Sequence, residues 1–94
     1  MGIKHDQNKP DWDIADFDAI EDMIRVLTFG ANKYERDGWR EVEAERYLSA
    51  LMRHIAAYKR GEILDLESGL PHLAHAACNI HFLQVFQREG LHNG

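Results

Sequence analysis

The sequence predicts an all-α fold, a bundle of three main helices completed by oligomerisation. Three observations lead there. Apolar residues recur at the three-and-four spacing of helices in two segments, alternating strand patterns are absent, and Leu70 to Phe86 contains no Asp, Glu, Lys or Arg. An uncharged helix of that length needs protein over most of its surface, and a chain of 94 residues has little to spare, so a second copy is expected to cover it.

Residues 1–15 carry Lys4, Asp6, Lys9, Pro10 and Trp12 without helical periodicity, and read as an N-terminal arm. Either Trp12 pins the arm to the body, or the arm is a lid that brings Lys4 and Lys9 to an anion. The single helical domain is placed at 16–88 and a frayed tail at 89–94. Its first helix starts near Asp16 or Asp18, where Asp18 and Glu21 have capping-box spacing, and Ile20, Met23, Ile24, Leu27, Ala31 and Tyr34 form its inward stripe. A turn at Asp37-Gly38 follows. Around it Lys33, Tyr34, Trp39 and Arg40 put two cations and two aromatics within eight residues, the side chains needed to stack a base and hold a phosphate.

The second helix is expected from Val42 or Glu43 to Arg60, stopped by Gly61, with Leu48, Leu51 and Ile55 as its core face. Arg46, Arg53 and Arg60 recur every seven residues, drifting only about 20° per step, and form either a phosphate rail or a solvated stripe paired with acids. His54 sits at the border of the core face. The loop that follows carries Asp65 and Glu67. In the third helix Pro71 is placed in the first turn, with Ser68 or its neighbours as cap. At about 100° per residue His72, His75 and Asn79 share one side, and His81 points the opposite way.

Sixteen acidic against 11 basic residues give a net charge of −5, which disfavours a nucleic acid polymer as partner. The lone Cys78 excludes an intrachain disulfide framework and reads as a buried core thiol of a reducing compartment. No stretch approaches the ~18 apolar residues of a membrane span, so a cytoplasmic location is expected. The His-x-x-His pair supports two chemistries. With Asp65 and Glu67 it can hold a transition metal; alternatively the same side chains bond a nucleotide's base, sugar or phosphate while the arginines neutralise charge.

Gly30-Ala31-x-Lys33-Tyr34, Trp39-Arg40, Arg46-Tyr47-Leu48-x-Ala50-x-x-Arg53-His54 and above all Glu67-Ser68-Gly69-Leu70-Pro71-His72-Leu73-Ala74-His75-Ala76-Ala77-Cys78-Asn79 resemble the N-terminal domain family of phage dATP/dGTP diphosphohydrolases. The resemblance covers roughly residues 4–86. It implies a relation to the all-α, MazG-like nucleotide pyrophosphohydrolases, oligomeric helical bundles that cleave a deoxypurine triphosphate to monophosphate and pyrophosphate. The pattern departs in one respect. Ser49, Ala50 and Arg53 stand where MazG-type enzymes carry the first three magnesium-binding acids, and His72 and His75 stand where they carry the second pair.

The leading expectation is therefore a phage-type, homo-oligomeric protein that binds a purine nucleotide or nucleotide-derived signal, including sequestration in an anti-defence role, with no cofactor required for binding. Its ligand-binding residues are Lys9, Lys33, Tyr34, Trp39, Arg40, Arg46, Arg53, His54, His72, His75 and Asn79. Two alternatives stand beside it. One is a dATP/dGTP diphosphohydrolase using a divalent metal, Mn or Mg, with His72, His75 and Glu67 as catalytic candidates and Asp65, Glu67, His72 and His75 as metal ligands. The other is a structural assembly protein.

Overall fold

The structure, a computed structural model, describes residues 8–90, so Lys4 of the expected arm and the tail beyond 90 lie outside it. The described chain is all-α. Its three main helices are α1 (Phe17–Lys33), α2 (Ala44–Lys59) and α3 (His72–Glu89), and two short 3-10 helices, Trp12–Ile14 and Gly38–Glu41, precede α1 and α2.

Local chemistry sets the helix ends. Asp16 caps α1, its carboxylate accepting from the N–H groups of Asp18 at 2.9 Å and Ala19 at 3.2 Å, a contribution of about 1 kcal/mol. No capping box forms at Asp18, which lies inside the first turn and favours the helix dipole. α2 ends in a Schellman motif. Glu62 N–H reaches Ala57 O and Gly61 N–H reaches Tyr58 O, both at 3.0 Å, with Gly61 at φ +96° where a side chain would be strained. α3 begins differently from expectation. Pro71 is the cap residue rather than a first-turn residue, no side chain caps the helix, and the His72 N–H is satisfied instead by Ile63 O at 2.8 Å. At its other end the helix runs beyond Phe86 to Glu89, closed by Gly90 at φ +68°.

α3 lies between the other two helices, with the more extensive contact on α2. Val26, Ala74 and Cys78 form the buried centre, with Met23, Leu27, Leu70 and Phe82 packed around it. Burial pushes the Cys78 thiol up to about 12, so it behaves as the small apolar core residue expected of it.

Two inward faces differ from the sequence expectation. On α1 the stripe centres on Met23, Val26 and Leu27, leaving Ile20, Ile24 and Tyr34 exposed. On α2 the face toward α3 runs through Tyr47, His54 and buried Ala57, while Leu48 and Ile55 are 41% and 39% exposed. Ring stacking and hydrogen bonding to α3 rotate the helix to this side, turning the aliphatic residues outward. Leu48, Met52 and Ile55 of α2 and Leu73 and Ile80 of α3 are thus left uncovered. Leu48 and Ile80 line a shared open groove with Ala44, Leu83 and Gln84. Trp12 is 70% exposed and does not pin the chain preceding α1. No helix among the described residues is long and apolar enough to cross a membrane.

Candidate functional site

The loop from Gly61 to Pro71 folds back on itself to present side chains at the start of α3. Leu64 and Pro71 form an antiparallel bridge, Asp65 N–H donates to Leu70 O and Gly69 N–H to Asp65 O, both at 2.8 Å. Gly69 turns the chain at φ +73°, a conformation that L side chains rarely adopt. Inside this clip the Asp65 Oδ2 accepts from the Ser68 N–H at 2.9 Å and from its hydroxyl at 3.1 Å. Ser68 Oγ in turn accepts from Leu70 N–H at 3.1 Å and meets His75 Nε2 at 2.7 Å. The residue expected to cap α3 instead ties the loop carboxylate to the helix histidine.

His54 of α2 closes the group. Its ring lies on that of His75, with centroids 4.5 Å apart and 12° between planes, and its Nδ1 is 2.9 Å from the Nδ1 of buried His72. His54, Asp65 and His72 each offer one ligand atom, all within 4.8 Å of one another. On the far side of His72, its Nε2 faces the Glu62 carboxylate at 3.6 Å. Asn79, also buried, donates from its amide to His75 O at 2.9 Å, one turn back along α3.

Electrostatics keep His54 and His75 ready to act as bases or ligands. Burial, followed by the neighbouring His75 and His72, lowers the His54 pKa below the ordinary histidine value. Burial lowers that of His75 as well, against the opposing pull of Asp65. For Asp65 burial acts upward, but the Ser68 N–H and hydroxyl together with His75 and His54 outweigh it and hold the carboxyl below its usual value. His54 and His75 are therefore held toward the neutral imidazole beside an ionised Asp65 at neutral pH.

Ser68, His75 and Asp65 do not make a nucleophilic triad. In a triad the carboxylate bonds the ring nitrogen opposite the one facing the serine. Here Asp65 Oδ2 contacts the serine itself and lies 3.7 Å from the same Nε2 that meets Ser68. Ser68 positions the other two. With one proton to give, its hydroxyl donates to Asp65 or to His75, and donation to Asp65 makes His75 Nε2 the donor.

The remaining candidates divide by position. Lys33 forms an ion pair with Glu67 and lies 5.3 Å from the centre of the Tyr34 ring, so these three gather beside the loop. Burial does not govern Lys33; the Glu67 hydrogen bond raises its pKa. Arg46 and Arg53 are exposed along α2 and Arg60 at its C-terminal cap, Arg53 next to His54 and bonded to Ser49 Oγ at 3.1 Å. Lys9 is exposed in the chain before α1. Trp39 and Arg40 lie elsewhere. Trp39 stacks on Phe82 at 4.7 Å, and Arg40 covers Trp39 and pairs with Glu89 at 3.1 Å. Phe82 is ten residues along α3 from His72, about 15 Å of helix, so these two are not brought to the histidines within one chain.

Of the four metal-ligand candidates, Asp65 and His72 fall in the three-residue group, with His54 as its third member. Glu67 is engaged by Lys33, and His75 by Ser68. The sequence reading missed Ser68 and Glu62 as supports. The Asp65-x-x-Ser68 spacing was the available signal, since a carboxylate commonly bonds backbone and hydroxyl a few residues onward.

The chain matches the family described as dATP/dGTP diphosphohydrolase, N-terminal, over residues 1–93. A protein named dATP/dGTP diphosphohydrolase from Salmonella phage PMBT28 is 39% identical over 82 residues, which are 87% of this chain and 28% of that protein. The chain thus spans little more than a quarter of that relative's length. No solved structure matches it. With nearly its whole length matched, this all-α chain belongs to the dATP/dGTP diphosphohydrolase N-terminal family.

Proposed function

We propose that the chain binds a purine deoxynucleoside triphosphate where α2, the Gly61–Pro71 loop and the start of α3 meet, and serves its cleavage to monophosphate and pyrophosphate. The convergence of His54, Asp65 and His72 beside Arg53, in a chain of this family, carries the reading. In the reaction water adds to the α-phosphorus as its bond to the bridging oxygen breaks, and pyrophosphate leaves. Arg53 and Arg46 hold the phosphates, Lys33 assists, Tyr34 offers a ring to the base, and the histidines bond the sugar or the phosphate oxygens.

A second reading, binding without cleavage, is favoured by one observation. Ser49 and Arg53 bond each other on α2, where MazG-type enzymes carry metal-binding acids, and a cation there favours holding a polyanion over assembling a magnesium cage. Either reading includes self-association through the uncovered Leu48, Met52, Ile55, Leu73 and Ile80 surface.

One experiment separates them. The purified chain is incubated with dATP, dGTP, other purine nucleotides and cyclic or ADP-ribose-type signals, with and without manganese, and products are followed by chromatography before and after denaturation. Formation of monophosphate and pyrophosphate supports cleavage. Ligand retained by the protein and recovered intact supports sequestration, and the absence of both results overturns both readings. Arg53→Ala is expected to weaken binding more than tenfold, about 1.4 kcal/mol. Sedimentation of the same samples tests self-association, which a monomer at micromolar concentration overturns.

A further inference from the structure

We propose that His54 Nδ1, His72 Nδ1 and a carboxylate oxygen of Asp65 form a binding site for a divalent transition metal of the zinc, cobalt and manganese class. The site lies where the nucleotide is proposed to bind. It stands independently of that reading, because the ligand atoms are assembled by the protein alone.

Separation and direction support it first. Two imidazole nitrogens on one metal, each bonded at ~2.1 Å, lie about 3.0 to 3.4 Å apart for angles between square and tetrahedral. The two Nδ1 atoms are 2.9 Å apart, so a metal requires them to open by only a few tenths of an ångström. Asp65 joins the two histidines in a group whose ligand atoms, one from each residue, all lie within 4.8 Å of one another. Three protein ligands of this kind leave coordination positions for water or a phosphate oxygen.

The surroundings are those of a built site. Metal-bound histidines are commonly oriented by a carboxylate behind the other ring nitrogen. Glu62 occupies that place behind His72, and it favours the tautomer with the proton on Nε2 and the lone pair of Nδ1 turned toward His54 Nδ1. Asp65 is held by the Ser68 N–H and hydroxyl, and the His54 ring is fixed by stacking on His75. His72 is buried and both its ring nitrogens are faced by partners, which fixes its orientation.

The donor set also selects the metal. Magnesium, which the resemblance to MazG-type enzymes implies, prefers all-oxygen, near-octahedral coordination and does not fit two nitrogens and one oxygen. Imidazole suits zinc, cobalt, nickel and iron, and one carboxylate keeps manganese within range.

The test titrates the metal-stripped full chain with Co2+ alone, followed by visible absorption and calorimetry. Expected are one equivalent per chain, a spectrum distinct from that of the hexaaqua ion, displacement by Zn2+ and no displacement by a hundredfold excess of Mg2+. Asp65→Asn and His54→Gln are expected to weaken binding at least tenfold. Circular dichroism identifies any variant that fails to fold, and the wild-type titration then decides alone. Absence of saturable Co2+ binding to the folded wild type overturns the site, as does unchanged affinity in both folded variants. A chain that binds Co2+ but no nucleotide keeps this inference and removes the proposed function; the reverse pattern removes only the metal.

Discussion

The two ends of α3 are built from different materials. At its N-terminal end the contacts are directed and polar: His72 meets His54 at 2.9 Å, His75 meets Ser68 at 2.7 Å, and Ser68 bonds Asp65 at 3.1 Å. At its C-terminal end Phe82 and Phe86 stack with Trp39 and Tyr47 at centroid separations of 4.5 to 6.0 Å, and the Tyr47 hydroxyl donates to Trp39 O at 2.8 Å. One stripe of α2 serves both, because Tyr47 and His54 are seven residues apart and only about 20° out of line. The contrast separates labour along one helix pair. Non-directional burial, at the aromatic end and around Val26, Ala74 and Cys78, holds the helices together, and that rigidity lets the polar end keep a fixed geometry.

Mutations at the two ends should therefore move different measurements. The largest effect is expected for Phe86→Ala. Deleting this buried ring leaves a cavity, and urea unfolding should show a loss of about 3 to 5 kcal/mol, with Co2+ affinity of the folded fraction unchanged. A loss of affinity as large as the loss of stability would show that the ends are not separable.

Ser68→Ala should do the reverse. It removes a hydroxyl shared by Asp65, His75 and the Leu70 N–H, at a cost near 1 kcal/mol in stability, but should lower Co2+ affinity about tenfold because Asp65 keeps only the Ser68 N–H of its two anchors. Equal affinity in the variant would break the link between the loop and the site.

Arg40→Ala is the smallest. The side chain is exposed, and its ion pair with Glu89 and contact with Trp39 should contribute less than about 1 kcal/mol in thermal unfolding, with nucleotide binding unaltered. A large fall in nucleotide affinity would sharpen the comparison differently, by showing that a second copy carries the Trp39–Arg40 end to the histidines of the first.

Helix arithmetic captured much of this arrangement. The absence of charge from Leu70 to Phe86 marked α3 as the central helix, Gly61 marked the end of α2, and the His72, His75 and Asn79 patch followed from angular spacing alone. The inward face of α2 was not legible. Hydropathy ranks Leu48 and Ile55 above Tyr47 and His54, but the latter pair have ring partners on α3 that intrahelical spacing does not reveal. Position along the helix was equally hidden for Trp39 and Arg40. Their composition matches a nucleotide site, whereas Phe82, Phe86 and Glu89 draw them to the far end of α3.

The Schellman stop at Gly61 and the clip around Gly69 have a kinetic consequence. Together they hold residues 54 and 72, eighteen positions apart, at touching distance without help from α1. Closing a flexible loop of that size costs roughly 2 to 3 kcal/mol beyond a constant, and the turn hydrogen bonds offset part of it locally. The helical hairpin of α2 and α3 is thus a region of low contact order, suited to early assembly during folding. An ion bridging the two arms of that helical hairpin would act as a reversible crosslink, restricting the unfolded ensemble much as a covalent one does.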